Sequence, residues 1–318
     1  MKRFLLKSLA FLVFLIPLYA ILLLLWGLFV PPKFGNNLFF PRGGNGHLHT
    51  RIKELDKYNK VDILFLGSSH AYRGFDPRVF SEEGWTSFNL GSSNQTPLQT
   101  HVLLKRYLNQ LNPQVILYAV SPESFQMDGI ESALDILANS PPDSLSFKMV
   151  RELHHIQTYH AWLYASMLKI LGIGENFREA PETFKDVYVS GGFVENKLRG
   201  FSADFEKGDL GSEFDYQWTH FESVVTRARL ENIPLVLVAT PLAPSHPHRK
   251  NPPVNWQKRI ATYSTFIDFN SPQVNWTEDD FFDADHLNQQ GVMRFNRMVL
   301  DSLRVRKLIE SQDALLLH

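Results

Sequence analysis

Three residues of this chain have the types and positions that an acyl-transfer relay needs: Ser69, Asp283 and His286. A serine hydroxyl is a weak nucleophile at neutral pH. It attacks a carbonyl when an imidazole takes its proton and a carboxylate holds that imidazole in the useful tautomer. Ser69 closes the turn Gly67-Ser68-Ser69, directly after the apolar run Val61-Asp62-Ile63-Leu64-Phe65-Leu66. Asp283 precedes His286 by three residues in Phe282-Asp283-Ala284-Asp285-His286, a spacing that lets carboxylate and imidazole meet on one side of a loop. The chain has no cysteine, so disulfides, thiolate metal sites and a thiol nucleophile are excluded together.

Neighbouring polar residues are expected to do other work. Asp285 adjoins His286 and would have to fold back sharply to reach its ring, so it is read as a solvated loop acid or a helix cap. His70 is expected to point away from Ser69 into the following helix, for packing or substrate contact. His246 and His248 occupy a Pro-flanked loop without a carboxylate cluster, and no metal is expected there. His154, His155 and His160 lie on a helical stretch whose surface is read as solvated or lid-facing, and Tyr159, Trp162 and Tyr164 as core.

The elements that must position these residues follow from period and punctuation. Five β-prone runs each stop at a turn: 61–66 at Gly67, 87–90 at Gly91, 115–120 at Ser121-Pro122, 235–239 at Thr240-Pro241, and 265–269 at Asn270. Helical stretches at 98–111 and 216–230 fit crossovers over a parallel sheet. The expected class is α/β: a flavodoxin-like three-layer sandwich around a five-stranded parallel sheet. Ligands of such sheets bind beyond the carboxyl ends of the strands, where Ser69 falls. Helical patterns at 51–58 and 292–305 flank the sheet in sequence. Residues from about 125 to 215, with a helix at 156–171 and the turn Ser190-Gly191-Gly192, break the rhythm. They are read as an insertion over the strand ends, able to serve as a lid and lacking a strand set of its own.

With these motifs placed, the chain resembles the SGNH or GDSL hydrolases, a superfamily of serine-dependent lipases and esterases. Gly67-Ser68-Ser69 matches the Gly-x-Ser block after the first strand, Gly91 the glycine after the second, and Asp283-x-x-His286 the C-terminal block. The resemblance spans nearly the whole region after the first 58 residues. It implies the SGNH hydrolase fold, with Ser69 as nucleophile, His286 as base, Asp283 orienting it, and no cofactor. It also implies an oxyanion hole made by the N–H groups of Ser69 and Gly91. The third block departs: Val120-Ser121-Pro122-Glu123-Ser124 stands where the family has Gly-x-Asn-Asp, so Asn94 is the substitute for the missing asparagine.

The Gly-Ser-Ser-His form with an apolar N-terminus is similar to divergent membrane-tethered members, the D-alanine-transfer protein of teichoic acid synthesis and the SGNH-like proteins of exopolysaccharide acetylation. That likeness implies a serine esterase or O-acyltransferase acting on an acylated cell-envelope glycan, with a multi-pass membrane O-acyltransferase as partner. The alternative, supported by the missing third block, is a catalytically degenerate scaffold that binds glycan or such a partner.

Residues 4–30 carry one charge, Lys7, and at about 1.5 Å per residue they cover the roughly 30 Å hydrocarbon layer. A retained anchor is expected. A cleaved signal peptide competes, but its apolar run is normally about 7–15 residues long. Lys2, Arg3 and Lys7 precede the span, so the N-terminus is expected in the cytoplasm. The remainder is then extracytoplasmic (periplasmic), held by a single pass in the inner or cytoplasmic membrane. The expected organisation is a tip and anchor over 1–31, a tether and short helix over 32–58 with a flexible Gly/Pro/Asn-rich stretch at 31–49, the domain over 59–310, and a tail over 311–318. Lys and Arg number 32 against 33 Asp and Glu, a net charge of -1 that offers nucleic acid no attractive field. With 44% hydrophobic residues among 318, a sizeable core is assured.

Overall fold

The five apolar runs form one parallel sheet, in a computed structural model that describes residues 1–35, 37–198, 200–202 and 211–309. The expected tail over 311–318 and part of the insertion lie outside the described residues. In chain order the first elements are α1 (Lys2–Phe29), α2 (Leu48–Glu54), β1 (Ile63–Leu66), α3 (Ser69–Tyr72), α4 (Pro77–Glu82), β2 (Ser87–Asn89), α5 (Pro97–Leu111) and β3 (Val115–Ala119). The insertion follows, with α6 (Glu123–Gln126), α7 (Ile130–Asn139), α8 (Ser144–Leu153), α9 (Ile156–Ile170), β4 (Asp186–Val189) and β5 (Phe193–Asn196). The chain then closes through α10 (Asp215–Leu230), β6 (Leu235–Ala239), α11 (Pro247–Lys250), α12 (Val254–Ala261), β7 (Thr265–Asp268) and α13 (Gln289–Val305).

The sheet order is β2-β1-β3-β6-β7, the doubly wound arrangement in which β1 and β3 diverge to opposite flanks. Because strand side chains alternate, each strand feeds two cores. Leu64, Leu66, Ile116, Tyr118 and Leu237 pack beneath α5 and α10. Ile63, Phe65, Val115, Leu117 and Val236 pack beneath α4 and α13. Burying each such side chain contributes about 1.5–3 kcal/mol, so both layers are held by the strands' near-continuous apolar character. The ends of the crossover helices are encoded locally. Thr96 and Gln99 form a capping box at α5, and Asn288 caps α13 by accepting from the Gly291 N–H.

Two regions differ from expectation. The insertion does contain strands: β4 and β5 pair antiparallel, Val189 opposite Phe193, around Gly191 and Gly192 at φ +88° and +89°. Four-residue strands are too short to show a clear alternation, yet the turn glycines mark the hairpin. Its turn lies on β2, where the Asn89 N–H donates to the Gly191 carbonyl at 2.9 Å and covers an otherwise open sheet edge.

The stretch read as a flexible tether is instead built into the domain. Leu38, His47, Leu48 and His49 are buried, and α2 starts at Leu48. Arg51, fully buried, donates to the carbonyls of Gly46, Gly91 and Gly192 at 2.8, 2.7 and 2.9 Å. The Gly-rich composition here marks tight turns rather than freedom, since Gly43 and Gly46 take positive φ.

The helix α1 is long and apolar enough to cross a membrane, and most of its residues are exposed. Its second half packs on α9, where Leu23, together with Leu38 from the segment that follows α1, meets Tyr164 and Leu168. His160, expected on a solvated surface, is only 8% exposed. Its Nε2 lies 2.5 Å from Tyr19 Oη and its Nδ1 2.7 Å from the Asn37 carbonyl.

Candidate active site

At the end of β1 the backbone must turn at once, and Gly67 does so at φ +132°. A Cβ at that position would come within 2.7 Å of the Ala119 carbonyl, so no other residue fits. Ser68 Oγ then accepts from the His70 N–H, starting α3 and presenting Ser69 at the carboxyl edge of the sheet. Opposite it, the loop between β7 and α13 is folded around one carboxylate. Asp283 Oδ1 accepts the N–H groups of Asp285 and His286 at 3.0 and 2.7 Å, and the Phe282 N–H donates to the His286 carbonyl at 3.1 Å.

These two turns bring Ser69, Asp283 and His286 together. His286 Nε2 stands 2.8 Å from Ser69 Oγ, and its Nδ1 stands 3.0 Å from both oxygens of Asp283. The Phe282 ring stacks on the imidazole, with centroids 5.4 Å apart and planes 10° from parallel, which restricts its rotation.

Asp285 and His70 do not behave as expected. Asp285 Oδ1 is 3.1 Å from the same His286 Nδ1, and its Oδ2 is 3.3 Å from His70 Nε2. The tight turn around Asp283 bends the backbone enough for the Asp285 side chain to return over the ring despite its adjacency to His286. His70 accordingly faces the site, its ring 5.4 Å from that of His286. The sequence signal was the doubled acid in Asp-x-Asp-His together with a histidine beside the serine.

Two carboxylates on one imidazole have an electrostatic consequence. Burial disfavours the His286 cation, but Asp285 and Asp283 outweigh it and push the group up to about 10. Burial would raise the Asp285 carboxyl, yet His286 and His70 hold it well below the ordinary range. The two carboxylates therefore favour the protonated imidazole, and His286 must be unprotonated at Nε2 before it can accept the Ser69 proton.

The expected oxyanion donors fare unequally. The Ser69 N–H stands at the start of α3 beside its own hydroxyl. Gly91 is buried, and its N–H donates to Asn89 Oδ1 at 2.9 Å. Its glycine identity has a steric cause, because a Cβ would lie 2.9–3.0 Å from the carbonyls of Ser68 and Gly67 and from Asn89 Oδ1. Asn94, at φ +47°, gives one amide hydrogen to Glu131 Oε2 at 2.8 Å, leaving the second for another acceptor.

The altered third block supplies a further pair that the sequence reading missed. Glu123 Oε1 lies 2.6 Å from His248 Nδ1; burial would raise the Glu123 carboxyl, but His248 holds it down at about 2. Glu123, His246 and His248 line a cavity that reaches Ser69. His70, Asp285 and His286 also offer ligand atoms within 4.8 Å of one another. His286 Nδ1 is already surrounded by carboxylates, so a cation there would displace the contacts that orient the ring.

No protein-family model and no curated protein matches this chain. Among solved structures it is similar to a candidate acylhydrolase of Bacteroides fragilis, at 14% identity and a TM-score of 0.43 over 83% of this chain and 99% of that one. It is also similar to a GDSL-like lipase of Bacteroides thetaiotaomicron, at 14% identity and a TM-score of 0.39 with the same coverages.

Proposed function

We propose that this chain is a membrane-anchored serine esterase or O-acyltransferase acting outside the cytoplasm on an acylated cell-envelope glycan. The observation that carries the catalytic part is the 2.8 Å contact between Ser69 Oγ and His286 Nε2, backed by Asp283 at 3.0 Å on the opposite ring nitrogen. Ser69 Oγ attacks the ester carbonyl while unprotonated His286 Nε2 takes the hydroxyl proton. The tetrahedral oxyanion is met by the Ser69 N–H and the second amide hydrogen of Asn94. Its collapse breaks the ester C–O bond, and the departing alkoxide receives the proton from His286. Water, or a sugar hydroxyl, then gives its proton to His286, attacks the acyl-serine and regenerates Ser69. Asp283 holds the ring throughout and Asp285 adds a second negative charge beside it.

The apolar character of α1 and the basic residues Lys2, Arg3 and Lys7 support anchoring with the N-terminus inside. The glycan and the acyltransferase partner rest on the sequence resemblance alone. Ser69→Ala is expected to lower ester turnover by at least roughly 10,000-fold with the circular-dichroism spectrum unchanged. Retained turnover in that variant removes the proposal.

A second reading is favoured by the Gly91 N–H, which is consumed within the protein, and by the departed third block. It makes the chain a degenerate scaffold that binds glycan or a membrane acyltransferase. A fluorophosphonate probe separates the two, because a working relay is labelled at Ser69 and a scaffold is not.

A further inference from the structure

Ser69 stands at the junction of two cavities that differ in size and in lining. The inner one, of about 120 Å³, runs under the loops after β3 and β6; Val120, Met127, Leu242, Pro253 and Trp256 give it apolar surface, and the Glu123–His248 pair and Asp268 also line it. The outer one, of about 740 Å³, is more open and is bordered by charged and polar groups including Arg73, Glu131, Lys185 and Asn196. Ser69 and Asn94 line both.

The base decides which half of an ester goes where. In acyl transfer the group that takes the serine proton must next hand it to the departing alkoxide, so the alcohol has to lie on the side of the imidazole. His286 and Asp283 line the outer cavity and not the inner one. The acyl group, joined to the same carbonyl carbon, is directed the other way.

We infer that the inner cavity is the acyl pocket and that it admits only short acyl groups, of roughly four carbons or fewer, while a bulky hydrophilic alcohol occupies the outer cleft. The limit follows from volume: an apolar cavity that takes a benzene-sized guest measures about 150 Å³, and this one measures about 120 Å³. The outer cleft, about 740 Å³ and bordered by Arg73, Glu131, Lys185 and Asn196 as well as the Phe282 ring, suits an alcohol with many hydroxyls. The inference rests on the proposed acyl transfer at Ser69.

The test uses the full chain in detergent with 4-nitrophenyl acetate, butanoate and octanoate, comparing kcat/KM. Acetate and butanoate are expected within about tenfold of each other and octanoate at least about 100-fold below acetate, since each methylene that does not fit costs about tenfold or more. Met127→Ala and Leu242→Ala, each enlarging the pocket at a partly exposed wall, should each raise the octanoate-to-acetate ratio about tenfold. Octanoate cleaved within threefold of acetate, or a ratio unmoved in both variants, overturns the acyl-pocket assignment while Ser69-dependent turnover of acetate keeps the serine reading intact. Absence of any Ser69-dependent turnover across the three esters overturns both.

Discussion

The loop from Phe281 to Asn288 and the loop from Gly91 to Asn94 face each other across Ser69, and they are built on opposite principles. In the first, backbone N–H groups converge inward on Asp283 so that its carboxylate, Asp285 and His286 are aimed at the serine. In the second, the donors are used to hold the loop to its neighbours: the Gly91 N–H goes to Asn89 at the end of β2, and half of the Asn94 amide goes to Glu131 of α7. One side of the nucleophile is over-provided with charge and the other is thinly provided with hydrogen bonds. Generation of the alkoxide and stabilisation of the oxyanion are therefore separable in this molecule, and substitutions in the two loops should report different quantities.

The largest effect is expected where the first loop is stripped of both acids. A single orienting carboxylate replaced by its amide costs a serine relay roughly 10,000-fold in kcat. Here Asp283→Asn should cost distinctly less, because Asp285 Oδ1 remains 3.1 Å from Nδ1. The double replacement Asp283→Asn, Asp285→Asn should recover the full loss. Such non-additivity is what shared contact with one ring produces. If Asp283→Asn alone already gives the complete loss, Asp285 is only a neighbour.

In the second loop the effect is smaller and its form differs between the two residues. Asn94→Ala removes the side-chain donor at the junction of the cavities and should lower kcat about 100-fold with little change in KM, as loss of one oxyanion donor does. Gly91→Ala should act through shape, since the added Cβ meets the Ser68 and Gly67 carbonyls. Forcing such contacts costs about 1–3 kcal/mol, so its melting temperature should fall by several degrees while Ser69 is still labelled by a fluorophosphonate in the folded fraction. A Gly91→Ala variant of normal stability but strongly reduced kcat would return Gly91 to the oxyanion hole.

The same contrast governs what the sequence made legible. All five strands and the crossover helices were visible, because each strand is a short β-prone run that stops at a turn residue: Gly67, Gly91, Ser121-Pro122, Thr240-Pro241 or Asn270. Ser69, Asp283 and His286 could be named because their roles follow from residue type and from position after a strand or before a helix. The placement of Asp285, His70, Glu123 and His248 depends on where a side chain returns after a turn, and spacing alone does not specify that. Gly91 was visible as the glycine that ends the second strand, but one letter does not separate a glycine needed for its N–H from one needed for its missing Cβ. The packed segment before β1 escaped for a related reason: the glycines that shape its turns also typify flexible linkers, and only the buried Arg51 reaching three carbonyls distinguishes them.

The subtlest expected effect is a displacement of the pH profile. His286 must be unprotonated to accept the Ser69 proton, and its two carboxylates push it up to about 10. Log kcat/KM should therefore climb with pH through neutrality and level off only once His286 has lost its proton. Asp285→Asn removes the charge that opposes burial most strongly, so the His286 value falls and the climbing limb moves to lower pH. At neutral pH a larger share of His286 is then free to act, which raises the rate; on the alkaline plateau the weaker base lowers it. The wild-type and variant curves should cross, an outcome unlike that of a simple loss of structure. Superimposable limbs would mean that Asp283 alone sets the basicity of His286 and that the Asp285 contact has no bearing on the chemistry.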